Sequence, residues 1–422
     1  MVPDPLSSMP KVPDRAWCAA ADAADPLAAF RERFHIPEGL IYLDGNSLGM
    51  MPKDAPTLAE RVIRGEWGDD LIASWNSAGW FDLPVRLGDK LAPLIGAGPG
   101  EVVVCDTTSL NLFKVLNAAL ALRPDRGVLI LEGSNFPTNN YIAQGVAAAS
   151  EGRVEVRLCE KDEIAGAIDE RTIAIAITQV HYRTGHLHDM AALTALAQRH
   201  DALAIWDLCH SAGAMPVDLA GCNADFAVGC TYKYLNGGPG SPAFLFAAHR
   251  HQGKAAQPVT GWWGHAAPFE FEPDYRPQSD IRQFLVGTQP IVSMALVEAG
   301  LGVFLAADMA AIRAKSTALT DLFIRLVETR CSGHGFRLDS PREAQDRGSQ
   351  VSFAHDHGFP IMRALIAAGV VGDFRAPDTV RFGFTPLYLR YTDVWDAVER
   401  LVAIMERGVW RNPEFQQRTA VT

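Results

Sequence analysis

The chain has 422 residues, 48% hydrophobic and 21% charged, a balance that argues against disorder and allows a large buried core. Lysine and arginine number 38 against 49 acidic residues, a formal net charge of −11, which argues against nucleic acid or an anionic membrane as partner. Seven scattered cysteines with no C-x-x-C pair speak against a disulfide framework and a tetrathiolate zinc site, so a reducing, cytoplasmic compartment is expected.

The N-terminal stretch MVPDPLSSMPKVPDRAW has prolines and early acids but no apolar segment. Its first sixteen residues read as loosely attached, and not as a signal peptide. Residues 15–34 carry a helical pattern that stops ahead of His35-Ile36-Pro37, and residues 40–49 (LIYLDGNSLG) read as a short strand entering a Gly/Asn/Ser turn. A short strand at 101–105 leads into Asp106-Thr107-Thr108-Ser109 and a helical run. Apolar, β-branched runs then follow at 127–131, 154–158, 172–180, 202–208, 224–228 and 242–246, with helical stretches at 139–149, 162–168 and 189–200. Apolar strands linked by helices predict a mostly parallel α/β sheet covered on both faces. Beyond 290 come a long helical region (291–329), weaker strand signals at 350–353 and 379–384, and a closing helix at 392–407. No run of eighteen apolar residues occurs, since 294–311 is broken by Glu298 and Asp308. The expectation is a large α/β domain over 50–289 and a smaller, discontinuous α+β domain from 1–49 and 290–422.

Three features point to chemistry. Lys233 sits in ADFAVGCTYKYLNGGPGSPAFLF (224–246), between two apolar strands, where lysine is uncommon. A lysine snorkelling from a loop is the ordinary alternative. Asp207 ends the strand ALAIWDL, and ligands of open parallel sheets sit beyond the carboxyl ends of strands. A lysine and a carboxylate facing one pocket are what pyridoxal phosphate (PLP) requires: an amine to form an imine, and an acid to keep the pyridine nitrogen protonated. Helix capping is the plainer reading of Asp207. Thr108 and Ser109, at a helix start, offer hydroxyls and free N–H groups to a phosphate, with simple capping again the alternative.

With these residues assembled, the chain resembles the kynureninase family of fold type I PLP enzymes, whose central sheet has seven strands. The resemblance runs from about Tyr42 to the end and rests on YLDGNSLG (42–49), FPT (136–138), DLCHSAG (207–213), CTYKYLNGGPGSPAF (230–244), GWWGH (261–265) and RFGFTPLY (381–388). It implies PLP-dependent hydrolysis of L-kynurenine to anthranilate and L-alanine in tryptophan catabolism, with 3-hydroxykynurenine as a second substrate. It implies that Lys233 holds PLP, Asp207 pairs with the pyridine nitrogen, and His210 and Thr178 lie against the ring. Thr108, Ser109 and Tyr232 would contact the phosphate, with Tyr232 doubling as a proton donor, and Phe136 would wall the ring. Trp262 and Thr288 resemble positions that reach the phosphate from a neighbouring subunit, which implies a homodimer. Arg381 resembles the arginine that binds the substrate carboxylate, and Asn46, Ser47, Trp75 and Trp263 are candidate substrate contacts.

One departure stands out: the family commonly has FPTD or FPSD, whereas this turn reads FPTNN, with an amide at Asn139. An amide donates a hydrogen bond but supplies no counter-charge. His181, His188 and His265 fit no compact ligand spacing, so no metal is expected, and His265 is the one to test. The alternatives are a cysteine desulfurase, an aminotransferase or a catalytically silent PLP-binding protein. Against the first, Cys209 and Cys230 fall inside strand-end motifs and not on a mobile loop.

Overall fold

Runs of valine, isoleucine and leucine too apolar to leave a face in water build the centre of the fold. The computed structural model describes residues 9–417. After the two-residue strand β1 (Ile41–Tyr42), seven strands form one sheet: β2 (Val102–Val104), β3 (Val128–Glu132), β4 (Glu155–Cys159), β5 (Thr172–Thr178), β6 (Leu203–Asp207), β7 (Phe226–Gly229) and β8 (Phe244–Ala247). Their spatial order is β2-β8-β7-β6-β5-β3-β4. β3 to β7 pair in parallel, and β8 alone runs antiparallel to both its neighbours. The inner strands are buried throughout, while edge strand β4 exposes Glu155 and Leu158 and keeps only Cys159 buried. Charge on an edge strand discourages pairing with another chain.

Alternate residues of each strand enter different cores, as the two-residue period requires. Ile130, Ile175 and Trp206 face one hydrophobic cluster, and Leu129, Ala174 and Ile205 face the other. The second cluster takes in the helix Thr108–Leu122; the first takes in Ile291–Phe304, Met309–Arg330 and Tyr391–Arg407.

A four-stranded antiparallel sheet follows, built from β9 (Arg337–Leu338), β10 (Gln350–Ala354), β12 (Asp373–Arg375) and β13 (Thr379–Gly383), in the order β12-β13-β10-β9. The remaining strand, β11 (Val370–Val371), pairs in parallel with β1 and so brings the 42–49 turn against the C-terminal part of the chain.

Two expected helices are broken. The pattern at 15–34 divides into Arg15–Ala23 and a 3-10 turn Ala28–Arg33, because Pro26 lacks an N–H and Asp25 accepts from Leu27 N at 2.9 Å. The region 291–329 divides into Ile291–Phe304 and Met309–Arg330, bent by 84°, where Asp308 caps Ala310 N at 2.9 Å. No single helix among the described residues is long and apolar enough to cross a membrane. Helices Ala55–Glu60 and Leu83–Leu91 were not anticipated; each has proline in its first turn, where that residue is tolerated. Of the segment expected to be loosely attached, residues 1–8 lie outside the described residues. The rest corrects the expectation: Arg325 donates to Pro10 O at 2.6 Å, Met9 packs against the core, and Asp14 caps Trp17 N at 2.7 Å.

The N-terminal segment is fastened to the C-terminal part by a buried ion pair. Lys315 Nζ donates to Asp25 Oδ2 and Pro386 O, both at 2.6 Å, with side chains 6% and 4% exposed. Lys315→Ala strands the Asp25 carboxylate and should lower the unfolding free energy in urea by about 3–5 kcal/mol. Asp25→Ala/Lys315→Met should recover most of that loss. A single-variant effect under about 1 kcal/mol would place the pair with surface salt bridges.

Candidate active site

The parallel register puts Thr178 of β5 directly beside Asp207 of β6, both at the carboxyl ends of their strands. Asp207 is 7% exposed. Its Oδ1 accepts the Cys209 N–H at 2.8 Å and its Oδ2 accepts Asn139 Nδ2 at 2.8 Å, so the amide in FPTNN orients the carboxylate as a neutral donor.

Lys233 follows β7, with its Nζ 2.9 Å from His210 Nε2. Gln350 settles the histidine tautomer. Its Nε2 donates to the carbonyls of Tyr182 and His181 at 2.8 and 3.2 Å, which turns Oε1 toward His210 Nδ1 at 2.9 Å. An amide oxygen only accepts, so the proton sits on Nδ1 and a bare Nε2 faces the lysine. Burial, then the charges of Lys233 and Arg381, push His210 far below the usual histidine range. Tyr232 keeps its proton: burial, then its neighbours Cys230, Cys209 and Asp207, push the phenol up.

Thr108 and Ser109 open the helix Thr108–Leu122, and Thr107 caps it by accepting from Leu110 N at 3.2 Å. The preceding residue, Asp106, adopts φ 51° and is held by buried Lys114, which also donates to Phe284 O at 2.6 Å. The first N–H groups of a helix are unpaired within it and favour an anion.

On the opposite wall, Arg381 of β13 stands across from Asp373 of β12 in the antiparallel register. Its Nε donates to Asp373 Oδ1 at 2.8 Å, Nη2 to Asp373 Oδ2 and, at 2.9 Å, to Ser47 Oγ, and Nη1 to Tyr182 O. Arg375 donates to the same carboxylate at 2.7 Å, so two guanidiniums share one acid. The 44–49 turn reaches this wall through close approaches that only glycine permits. A Cβ at Gly383 would lie 1.8 Å from Asn46 Oδ1, and one at Gly49 would lie 2.3 Å from Lys233 O.

These groups enclose a cavity of about 240 Å³. Every site residue singled out in the sequence lines it except Trp75, Trp262, Trp263 and Thr288. Trp263 is corrected from substrate contact to core residue: it is buried, 5.3 Å from Trp75 and 5.7 Å from Phe81 by ring centroids. Trp75 belongs to that aromatic cluster and not to the cavity. Trp262 stacks on Trp263 and stays partly exposed, as does Thr288. His265 bonds locally, accepting from Ala267 N at 2.9 Å. Asn135, Thr138, Tyr182, Cys209 and Arg375 also line the cavity and were not anticipated. Cys209 and Thr138 lie inside quoted motifs and could have been found; Arg375 depends on the β12–β13 pairing, which no local pattern announces.

PLP fits these residues. Asp207 keeps a further lone pair on each oxygen, Lys233 Nζ points into the space, and helix N–H groups lie at its end. Asn46 and Arg375 line the cavity with buried polar atoms (both amide atoms of Asn46, Nε of Arg375) that meet no partner among the described residues.

The DegT/DnrJ/EryC1/StrS aminotransferase family matches residues 87–228, and the kynureninase C-terminal domain family matches 312–401. Among solved structures, a cysteine desulfurase from Thermococcus onnurineus superposes with a TM-score of 0.73 at 18% identity, over 90% of this chain and 97% of that one. A C-DES variant with glycine covalently linked to its PLP cofactor gives 0.75 at 16% identity, over 88% and 98%. Fold and cavity together define a PLP-dependent enzyme of fold type I. A relative from Burkholderia pseudomallei named kynureninase is 56% identical over 413 residues, 97% of this chain and 99% of that one. One of the same name from Pseudomonas fluorescens is 55% identical over 410 residues, 96% and 99%. The chain belongs to the kynureninase family.

Asp44, beside the arginine wall, gives a pH test. Burial, then the charge of Asp373, raises its carboxyl from 3.8 to about 8. Between those values the folded state holds a proton that the unfolded chain has lost. Stability from this group is therefore complete below about 3.8 and declines as pH rises toward 8. Asp44→Asn removes the titration, so its urea midpoint should gain steadily on the wild type across that window. A constant difference would show that Asp44 is ionised in the fold.

Proposed function

We propose that this chain hydrolyses L-kynurenine to anthranilate and L-alanine, with PLP held on Lys233. The observation that carries the reading is one cavity lined by Lys233, Asp207, the helix start at Thr108 and Ser109, and Arg381, in a member of the kynureninase family. Water adds across Cβ–Cγ: the γ-carbonyl carbon takes the hydroxyl and becomes the carboxylate of anthranilate, and Cβ takes a proton and becomes the methyl of alanine. PLP, when bound, draws electrons away from the substrate's Cα.

The chain's own groups do the rest. Asp207 holds the pyridine nitrogen, oriented by Asn139 and the Cys209 N–H. Lys233 Nζ is placed to take the Cα proton, and the bare Nε2 of His210 at 2.9 Å keeps it aimed. Tyr232 retains its phenolic proton and is the acid for Cβ. Arg381 receives the substrate carboxylate with its remaining Nη1 hydrogen, and Arg375 Nε adds a second donor. Thr178 and Phe136 border the ring. The desulfurase alternative is disfavoured, since it calls for a cysteine on a mobile loop, whereas Cys209 and Cys230 closely follow β6 and β7 and are tied to Thr108 Oγ1 and to Cys209 O.

Ile72 is 79% and Phe271 84% exposed, with Trp67 and Phe269 also open, an apolar surface that supports a homodimer in which Trp262 and Thr288 serve the partner's phosphate site. The seven cysteines are free, which supports the cytoplasm. The two sheets support a division at 50–289 against 1–49 and 290–422.

Purified PLP-loaded protein given L-kynurenine should release fluorescent anthranilate, and Lys233→Ala should abolish both that release and borohydride trapping of the cofactor. No anthranilate from a folded, loaded sample would overturn the assignment. Arg381→Ala and Arg375→Ala should chiefly raise KM, and an unchanged KM in either would remove that arginine from carboxylate binding.

A further inference from the structure

Beside the cavity, three ligating atoms converge on one point inside the protein. Glu132, at the end of β3, is fully buried. His186 and His188 stand two residues apart on the segment in which Leu187 bridges Val180, and both are buried. His188 Nε2 lies 2.9 Å from Glu132 Oε2 and 3.1 Å from His186 Nε2, and His186 Nε2 lies 3.4 Å from Glu132 Oε1.

The hydrogen bonds around this cluster link its members. His181 Nε2 is 2.8 Å from Ser134 O, a pure acceptor, so that nitrogen carries the proton and Nδ1 is bare. Its Nδ1 accepts from Thr184 N at 3.2 Å, and Thr184 Oγ1 lies 3.0 Å from both His181 Nδ1 and His186 Nδ1. One hydroxyl proton serves only one of those two nitrogens. When it serves His181, His186 carries its proton on Nδ1 and turns the Nε2 lone pair toward Glu132, the tautomer a cation would select. The proton between His188 Nε2 and Glu132 is the one a cation would displace.

A buried carboxylate and two imidazole nitrogens within 3.4 Å of one another suit a cation. Metal–ligand bonds of about 2.0–2.2 Å in a tetrahedron put neighbouring ligand atoms roughly 3.3–3.6 Å apart. The 3.4 Å spacing of His186 Nε2 and Glu132 Oε1 matches, and the 2.9 and 3.1 Å pairs would open by a few tenths of an ångström as a cation replaces the proton. Two imidazoles and one carboxylate are a borderline donor set suited to zinc-class ions. Thr184 on His186 Nδ1 and Ser134 Oγ, 3.1 Å from Glu132 Oε1, orient the ligands from behind.

We propose that Glu132, His186 and His188 form a binding site for a divalent transition-metal ion of the zinc class, outside the cofactor cavity. Sequence spacing missed it because the carboxylate comes from a different strand. The ion would act on position and not on chemistry. Glu132 begins the turn that carries Asn135 and Phe136 into the cavity wall, and Asn140 Nδ2 holds the carbonyls of Glu132 and Gly133 at 3.3 and 3.1 Å.

The test uses PLP-loaded protein stripped with a chelator, desalted and titrated with Zn²⁺, with metal counted by mass spectrometry. One equivalent per chain is expected, together with a higher melting temperature. Glu132→Gln and His188→Gln should each weaken binding at least about tenfold, while His249→Gln, at an exposed histidine, should bind as the wild type does. No stoichiometric binding by the native protein would show that the cluster holds a proton only, and binding that survives in Glu132→Gln/His188→Gln would place the metal elsewhere. If those variants fail to fold, Co²⁺ in the native protein decides: intense tetrahedral d–d bands are expected, and a weak octahedral spectrum overturns the site.

Discussion

The carboxylate of Asp207 sets the terms for the structure around it. At 7% exposure an acceptor-only group needs donors from the protein, and each of its oxygens has one, from the Cys209 N–H and from Asn139. The identity of the second donor matters. A carboxylate in place of Asn139 at 2.8 Å would force the two acids to share a proton. The amide holds Asp207 in place without competing for a proton, and leaves lone pairs directed at the cavity.

Similar donor-and-acceptor logic closes the cavity from parts of the chain far apart in sequence. Gln350, on the small sheet, bonds two carbonyls of the 181–182 segment and thereby presents His210, in the turn that follows β6, to Lys233 with a bare nitrogen. The 44–49 turn meets β13 and the Lys233 segment, with the Gly49 N–H donating to Tyr232 O at 2.7 Å. A shift between the two sheets would change the histidine tautomer, the lysine's partner and the arginine wall together.

Most of the large sheet was legible, because β3, β5 and β6 are continuous apolar runs set among helical stretches. Lys233, Asp207 and Arg381 were legible through motifs. What escaped depended on register or on lone-pair counting. Asp373 and Arg375 acquire meaning only when β12 lies against β13, and Gln350 looks like any polar strand residue until its three contacts are known. Glu132 reads as a strand end, and its two histidines lie more than fifty residues away. The aromatic cluster misled in the other direction: tryptophans suited to an aryl substrate stack on one another, since large rings gain more from mutual burial than from a solvent-filled wall.

The net charge of −11 carries no information about the two anion sites, because each is built locally. The helix start offers backbone dipoles. The arginine wall sets two guanidiniums against one carboxylate, Asp373, with Asp44 held protonated below about pH 8. That leaves about one positive charge facing the cavity, which in the proposed function a substrate carboxylate would neutralise. Placing Asp373 between the arginines does two things: it makes a buried pair of like charges tolerable, and it occupies most of their donors. The donors that remain, on Arg381 Nη1 and Arg375 Nε, then define where, in the proposed function, an incoming carboxylate would lie, so the selectivity of this wall would follow from how thoroughly its arginines are already engaged.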